Sequence, residues 1–164
     1  MMSVRKPVSK NARPTSSAVS RPAAAPSADA LAHFERLLQF ETDCWDVHHA
    51  ISNTRTDFVL LDVRGEELFR SGHIAGAVNL PHSRINDDNL RAFAEGTLFV
   101  VYCAGPHCNG ADKAALRLAK LQRPVKKMIG GITGWLDEGF TLEKAGEETV
   151  MPQTGPQHDT TRSV

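Results

Sequence analysis

Apolar and polar positions divide the chain into a patterned middle, roughly residues 29–145, and two flanks poor in large apolar residues. In the middle, four short runs have a β-type apolar character: Phe58-Val59-Leu60-Leu61-Asp62-Val63-Arg64, Ala77 to Leu80, Thr97 to Tyr102 and Pro124 to Ile129. The first is continuously apolar with β-branched residues, the mark of a strand buried on both faces in a helix-covered parallel sheet. Between these runs apolar residues recur at helical spacing. One helix is predicted to start at Ser27-Ala28-Asp29, its apolar face carrying Leu31, Phe34, Leu37 and Leu38 as far as Glu41. A second, capped by Thr42-Asp43, runs through Trp45, Val47 and Ile51. Others follow from Glu66 to Arg70, from Asp87-Asp88-Asn89 through Leu90, Phe93 and Ala94 to a stop at Gly96, and from Ala111 to Leu121. Gly130-Gly131 breaks the last strand, and Thr133 is expected to cap a helix through Trp135 and Leu136. Strands alternating with helices at short spacing predict a compact three-layer α/β domain with a mostly parallel sheet.

The flanks change the picture little. Residues 1–28 are rich in Pro, Ala and Ser, with Arg5, Lys6, Lys10, Arg13 and Arg21 and no acid before Asp29. Such a segment buries too little apolar surface to offset its ordering entropy, so a disordered basic tail is expected. Residues 146–164 are polar and are expected to form a second flexible tail. Across the 164 residues formal charge cancels, so nothing argues for a nucleic-acid partner or an anionic membrane surface. No apolar run approaches the roughly 20 residues needed to span a bilayer. Three cysteines make no disulfide framework, and a reducing, cytoplasmic setting is expected.

The chemistry concentrates between the third strand run and its helix, in Cys103-Ala104-Gly105-Pro106-His107-Cys108-Asn109-Gly110. Loop amides and the positive end of a helix dipole stabilise an anion there, and the thiolate is the nucleophilic form of cysteine. Cys103 is therefore the candidate reactive centre, with Ala104 to Gly110 as the substrate-binding loop. Gly105, Asn109 and Gly110 are suited to turning the backbone inward to aim N–H donors. His107 is the readily titrating group beside the thiols, placed either to attract an anion or to face solvent. Cys108 is either a resolving thiol or a packed residue at the helix start. Asp62 and Arg64 end a strand on the edge where open α/β sheets bind ligands, and join the substrate-binding set; the alternative is an ion pair bracing a loop. Elsewhere, Cys44 beside Trp45 reads as a small buried hydrophobe, His73 as a structural histidine between turns, and His33, His48 and His49 as helix-face residues. Cys103, His107 and Cys108 lack a fourth zinc ligand, so neither metal nor cofactor is expected.

Taken together, Leu61-Asp62-Val63-Arg64, Ser71-Gly72-His73-Ile74-Ala75-Gly76-Ala77-Val78-Asn79-Leu80-Pro81, Val100-Val101-Tyr102-Cys103 and Ile129-Gly130-Gly131 with Gly134-Trp135 resemble a single rhodanese domain, matching from about Phe58 to Phe140. The resemblance implies a three-layer α/β/α rhodanese-like fold and a persulfide carried on Cys103. The loop departs from the family's pattern. Pro106 stands where many rhodaneses have a glycine, Cys108-Asn109 stands where they have Arg-Ser, and the Cys-x4-Cys loop reaches its helix later than usual. A longer loop is similar to that of rhodanese-fold phosphatases, but their phosphate-binding Arg would fall on Asn109, which cannot supply a charged bidentate fork. Phosphatase and arsenate reductase activities are thereby disfavoured.

Three functions follow, in this order. The first is a rhodanese-type sulfurtransferase, with a thiosulfate or persulfide donor, small or protein-borne, and a thiol acceptor. The second is a redox sensor using Cys103 and Cys108. The third is a non-catalytic interaction module.

Overall fold

The computed structural model describes residues 16–144. The tail expected over 146–164 lies outside that range, as does most of the one expected over 1–28. The chain divides into two units at Leu37/Leu38. Within the described part of the first, a 3-10 turn at Ala18–Ser20 precedes helix α1 (Ser27–Phe40), which begins where the sequence predicts and continues into the second unit. No residue of α1 is buried, and its apolar residues Leu31 and Phe34 stay more than half exposed.

The second unit is the α/β domain. Its elements, in chain order, are β1 (Glu41–Thr42), α2 (Cys44–Ser52), β2 (Phe58–Asp62), α3 (Glu66–Ser71), β3 (Val78–Asn79), α4 (Asp87–Leu90), β4 (Leu98–Tyr102), α5 (Gly110–Lys120), β5 (Val125–Met128) and α6 (Gly131–Asp137). The five strands form one sheet in the order β1-β5-β4-β2-β3, and every strand pair is parallel. Outside the strands an isolated antiparallel bridge joins His73 to Glu143. The mostly parallel sheet predicted from the sequence is therefore the one observed.

Side-chain alternation builds the layers. Leu61 and Val63 of the β2 segment and Phe99, Val101 and Cys103 of the β4 segment share one cluster with Leu90 of α4 and Ala111, Ala114 and Leu118 of α5. Their neighbours Leu60, Val100 and Tyr102 leave the opposite face and meet Cys44 and Val47 of α2 and Ile132 and Trp135 of α6. Among the described residues, no helix is long and apolar enough to cross a membrane.

Local chemistry explains most boundaries. The Asp43 carboxylate accepts from the Asp46 N–H at 2.8 Å and caps α2, as expected. The helix predicted from Asp87 to Ala94 is shorter than expected, because Arg123 draws off its carbonyls. Its Nη2 donates to the Leu90 and Phe93 carbonyls at 3.1 and 2.7 Å, and only an i→i−3 bond continues the turn. Thr133 does not cap α6: the helix starts at Gly131, after Gly130, which has φ +85°. β1 was not predicted. It is two residues long and pairs only with β5.

Candidate active site

Cys103 is the first residue after β4, and its side chain emerges on the face covered by α5. The loop Cys103 to Asn109 then returns to Gly110, the first residue of α5. Two glycines make room for it. A Cβ on Gly110 would stand 2.7 Å from the Cys103 Sγ and 3.4 Å from the Cys108 Sγ. One on Gly105 would meet the Thr133 Oγ1 at 2.6 Å. Neither glycine takes a left-handed backbone, so their value is close approach rather than the inward turn expected of them.

The loop rests on the start of α6. Ile132 and Thr133 donate their N–H groups to the carbonyls of Cys103 and Ala104 at 3.0 and 2.9 Å, and the Thr133 hydroxyl adds a bond to the Ala104 carbonyl at 3.1 Å. The N-terminal donors that a helix leaves unpaired thus hold the Cys103 loop. Gly131 makes this seat possible. It has φ +58°, and any Cβ there would collide with the Cys103 carbonyl oxygen and lie 2.9 Å from the Gly105 nitrogen.

Cys103 and Cys108 are joined by a disulfide, with Cα atoms 6.4 Å apart. The Gly110 N–H, at the head of α5, lies 3.5 Å from the Cys108 Sγ. Cys103, Gly105, Pro106, Cys108, Gly130 and Gly131 line a cavity of about 180 Å³ together with Lys127 and Asp112. Ala104, His107 and Asn109 line an adjoining, more open surface, where His107 and Asn109 are exposed.

Asp62 and Arg64, expected in the substrate-binding set, lie apart from the Cys103 loop: neither lines the cavity beside Cys103. Asp62 pairs in register with Tyr102, so its side chain leaves the sheet on the face opposite to Cys103. It is fully buried, and its carboxylate takes Arg64 through Nε at 3.0 and 3.1 Å and Nη2 at 2.6 Å, plus the Arg64 backbone N–H at 3.0 Å. Arg64 spends its remaining reach on the Gly72 carbonyl at 2.7 Å. Burial works against the guanidinium charge, but the hydrogen bond and charge of Asp62 outweigh it and hold the Arg64 pKa above its ordinary value. Tyr102 completes the network by accepting from the Ile74 N–H at 3.2 Å; burial, then the Asp62 charge, push its phenol well above the usual range. The bracing ion pair, the alternative for these residues, is what the fold contains.

His73 is structural too: its Nδ1 lies 3.0 Å from the Phe69 carbonyl and its ring stacks on Phe69. Cys44 is buried, as a small hydrophobe would be. The sequence reading passed over Lys127, Asp112 and Glu41. The Lys127 Nζ lies 2.9 Å from Asp112 and 3.0 Å from Glu41, and the Asp112 hydrogen bond heads the causes that raise its pKa. A lysine inside an otherwise sheet-like run was the available signal; its partners come from elements far apart in sequence.

Cys103 thus lies at the carboxyl end of a central parallel strand, in a loop between β4 and α5 that rests on α6. The model of the rhodanese-like domain matches residues 46–138. The chain belongs to the rhodanese-like domain family. The BH2092 protein of Bacillus halodurans shares this rhodanese-like fold with a TM-score of 0.71 and 34% identity, over 73% of this chain and 87% of that one. A thiosulfate sulfurtransferase of Pseudomonas aeruginosa, 22% identical with a TM-score of 0.53 over 70% of this chain and 22% of its own, shares the fold. Among curated relatives, the Escherichia coli protein YibN is 33% identical over 91 residues, 54% of this chain and 62% of YibN. A helix-turn-helix-type transcriptional regulator of Mycobacterium tuberculosis is 31% identical over 88 residues, 54% of this chain and 38% of the regulator. The chain thus spans 38 to 62% of the length of these two relatives.

Proposed function

We propose that this rhodanese domain transfers sulfane sulfur through Cys103 in a reducing, cytoplasmic setting. The observation that carries the reading is the seat of Cys103, at a strand end beside a cavity and at the head of α5. Once the disulfide is reduced, the Cys103 thiolate attacks the outer sulfur of a persulfide donor, RSSH. The donor's S–S bond breaks, RS⁻ leaves and Cys103 holds the persulfide. An acceptor thiolate then attacks that outer sulfur and restores the Cys103 thiolate as it becomes the new persulfide. Thiosulfate follows the same course with sulfite as the leaving group. Gly110, Gly105 and the carbonyl-anchored loop supply the space and rigidity that both half-reactions require. Thiocyanate formation from cyanide, measured with thiosulfate and with a small persulfide, tests the reading. Cys103→Ser should abolish turnover with every donor; equal turnover in variant and wild type would sink the proposal.

The disulfide favours a second reading, a thiol redox sensor. Hydrogen peroxide would oxidise the Cys103 and Cys108 thiols to the disulfide and be reduced to two waters. Mild peroxide on the reduced protein should yield the Cys103–Cys108 linked peptide by mass spectrometry, whereas persistent free thiols would count decisively against a sensor.

A further inference from the structure

The cavity beside Cys103 has one basic and one acidic residue in its lining, Lys127 and Asp112, and they are bonded to each other. A lone ammonium there would draw an anionic donor toward the thiol. Lys127 is not alone. Glu41 is its register partner across β1 and β5 and binds it at 3.0 Å, while Asp112 reaches it at 2.9 Å from the first turn of α5. The three side chains are 27%, 25% and 59% exposed, so the cluster is partly shielded from solvent on the sheet side. Two carboxylates against one ammonium leave this wall with an excess of negative charge. Within the sulfur-transfer reading, on which this rests, we propose that Asp112 and Glu41 neutralise Lys127 and so select the donor class. The site then takes donors with at most one negative charge, such as a small alkyl persulfide, over the thiosulfate dianion. Asp112 and Glu41 act through Lys127 and are positioning residues. As a surface ion pair alone the cluster would be worth little to stability, but its sign acts directly on a charged reactant.

The charge can be read without sulfur transfer. In the reduced protein, the rates at which Cys103 is alkylated by anionic iodoacetate and by neutral iodoacetamide are followed by peptide mass spectrometry. Asp112→Asn should raise the iodoacetate-to-iodoacetamide ratio about three- to fivefold at low salt, and Lys127→Gln should lower it, both effects shrinking as salt screens the charges. Glu41→Gln provides a second carboxylate deletion from a different element and should move the ratio in the same direction as Asp112→Asn. In the thiocyanate assay Asp112→Asn should lower the KM for thiosulfate, which carries two negative charges, more than that for the persulfide of 2-mercaptoethanol, which carries one. A ratio that stays constant across the three variants, in a protein that does transfer sulfur, overturns the inference alone. Absence of transfer with every donor in the wild type overturns the sulfur-transfer reading, and the donor-class assignment with it.

Discussion

Strands β2 and β4 lie side by side and end in opposite ways. At the end of β2, Asp62, Arg64 and the Gly72 carbonyl use one another's hydrogen-bonding capacity, and Asn79 of the adjacent β3 donates from Nδ2 to the Asp62 and Arg64 carbonyls at 3.0 Å each. At the end of β4, Cys103 lines a cavity, and its loop is fastened to α6 through the main-chain carbonyls of Cys103 and Ala104. Both ends occupy the edge where open α/β sheets place ligands. Position at that edge is therefore insufficient to put a side chain on the cavity. The deciding variable is the face on which the side chain leaves: Asp62 follows Tyr102 to the α2/α6 side, and Cys103 follows Val101 to the α5 side. At the closed end the Arg64 guanidinium is committed to Asp62 and the Gly72 carbonyl.

The largest effect should come from breaking the closed end. Arg64→Met leaves the Asp62 carboxylate buried without its partner, which should cost about 3–5 kcal/mol in denaturant unfolding. The combined Asp62→Asn and Arg64→Met variant should recover part of that loss, because no uncompensated charge remains. If Arg64→Met kept full stability and instead weakened donor binding, the two ends would not differ as described. A smaller loss is expected at the seat of the open end. Gly131→Ala places a Cβ on a left-handed backbone against the Cys103 carbonyl, for about 1–3 kcal/mol and a displaced loop, read together by unfolding and by the Cys103 alkylation rate. Gly110→Ala should separate the two properties. Within a helix Ala is favoured over Gly by roughly 1 kcal/mol, yet the new methyl crowds both sulfurs. Stability should therefore stay near wild type, while Cys103 alkylation and reformation of the disulfide slow together.

Much of this was legible in the sequence. Runs such as Leu98 to Tyr102, bounded by turns and followed by helical spacing, state a parallel α/β sheet, and they place Cys103 between such a strand and helix. Other features depend on long-range register. The two residues of β1 carry no periodic signal, so the facing of Glu41 to Lys127 appears only once β1 lies on β5. Whether Cys108 reaches Cys103 depends on how the loop closes at Gly105 and Gly110, which spacing alone does not determine. The assignment of Asp62 is a different case: strand parity already set it on the opposite face from Cys103, provided Asp62 and Tyr102 were recognised as partners.

Cys44 extends the contrast to a sulfur that is closed in. Its thiol points at the Ile129 and Gly131 carbonyls, 3.4 and 3.7 Å away, and sits behind Gly130 and Gly134 at the start of α6, the helix that holds the Cys103 loop. Burial, with smaller contributions from the Asp43 and Glu138 charges, pushes its pKa up from 9.0 to about 11. In the unfolded chain the thiol loses its proton near the lower value, whereas in the fold it keeps it until the higher one. The native state then holds more protons between them, so this contribution is complete below pH 9 and is lost as pH rises toward 11. Tyr102 is raised too and acts in the same direction, so removing Cys44 should reduce the slope without abolishing it. Denaturant unfolding of the disulfide-bonded form, in which Cys103 and Cys108 have no thiol proton to lose, isolates the effect. Cys44→Ala should show a shallower loss of stability than wild type across that interval. Equal slopes would mean that Cys44 ionises in the fold as readily as in the unfolded chain, and that the seat of the open end is less sealed from water than its packing indicates.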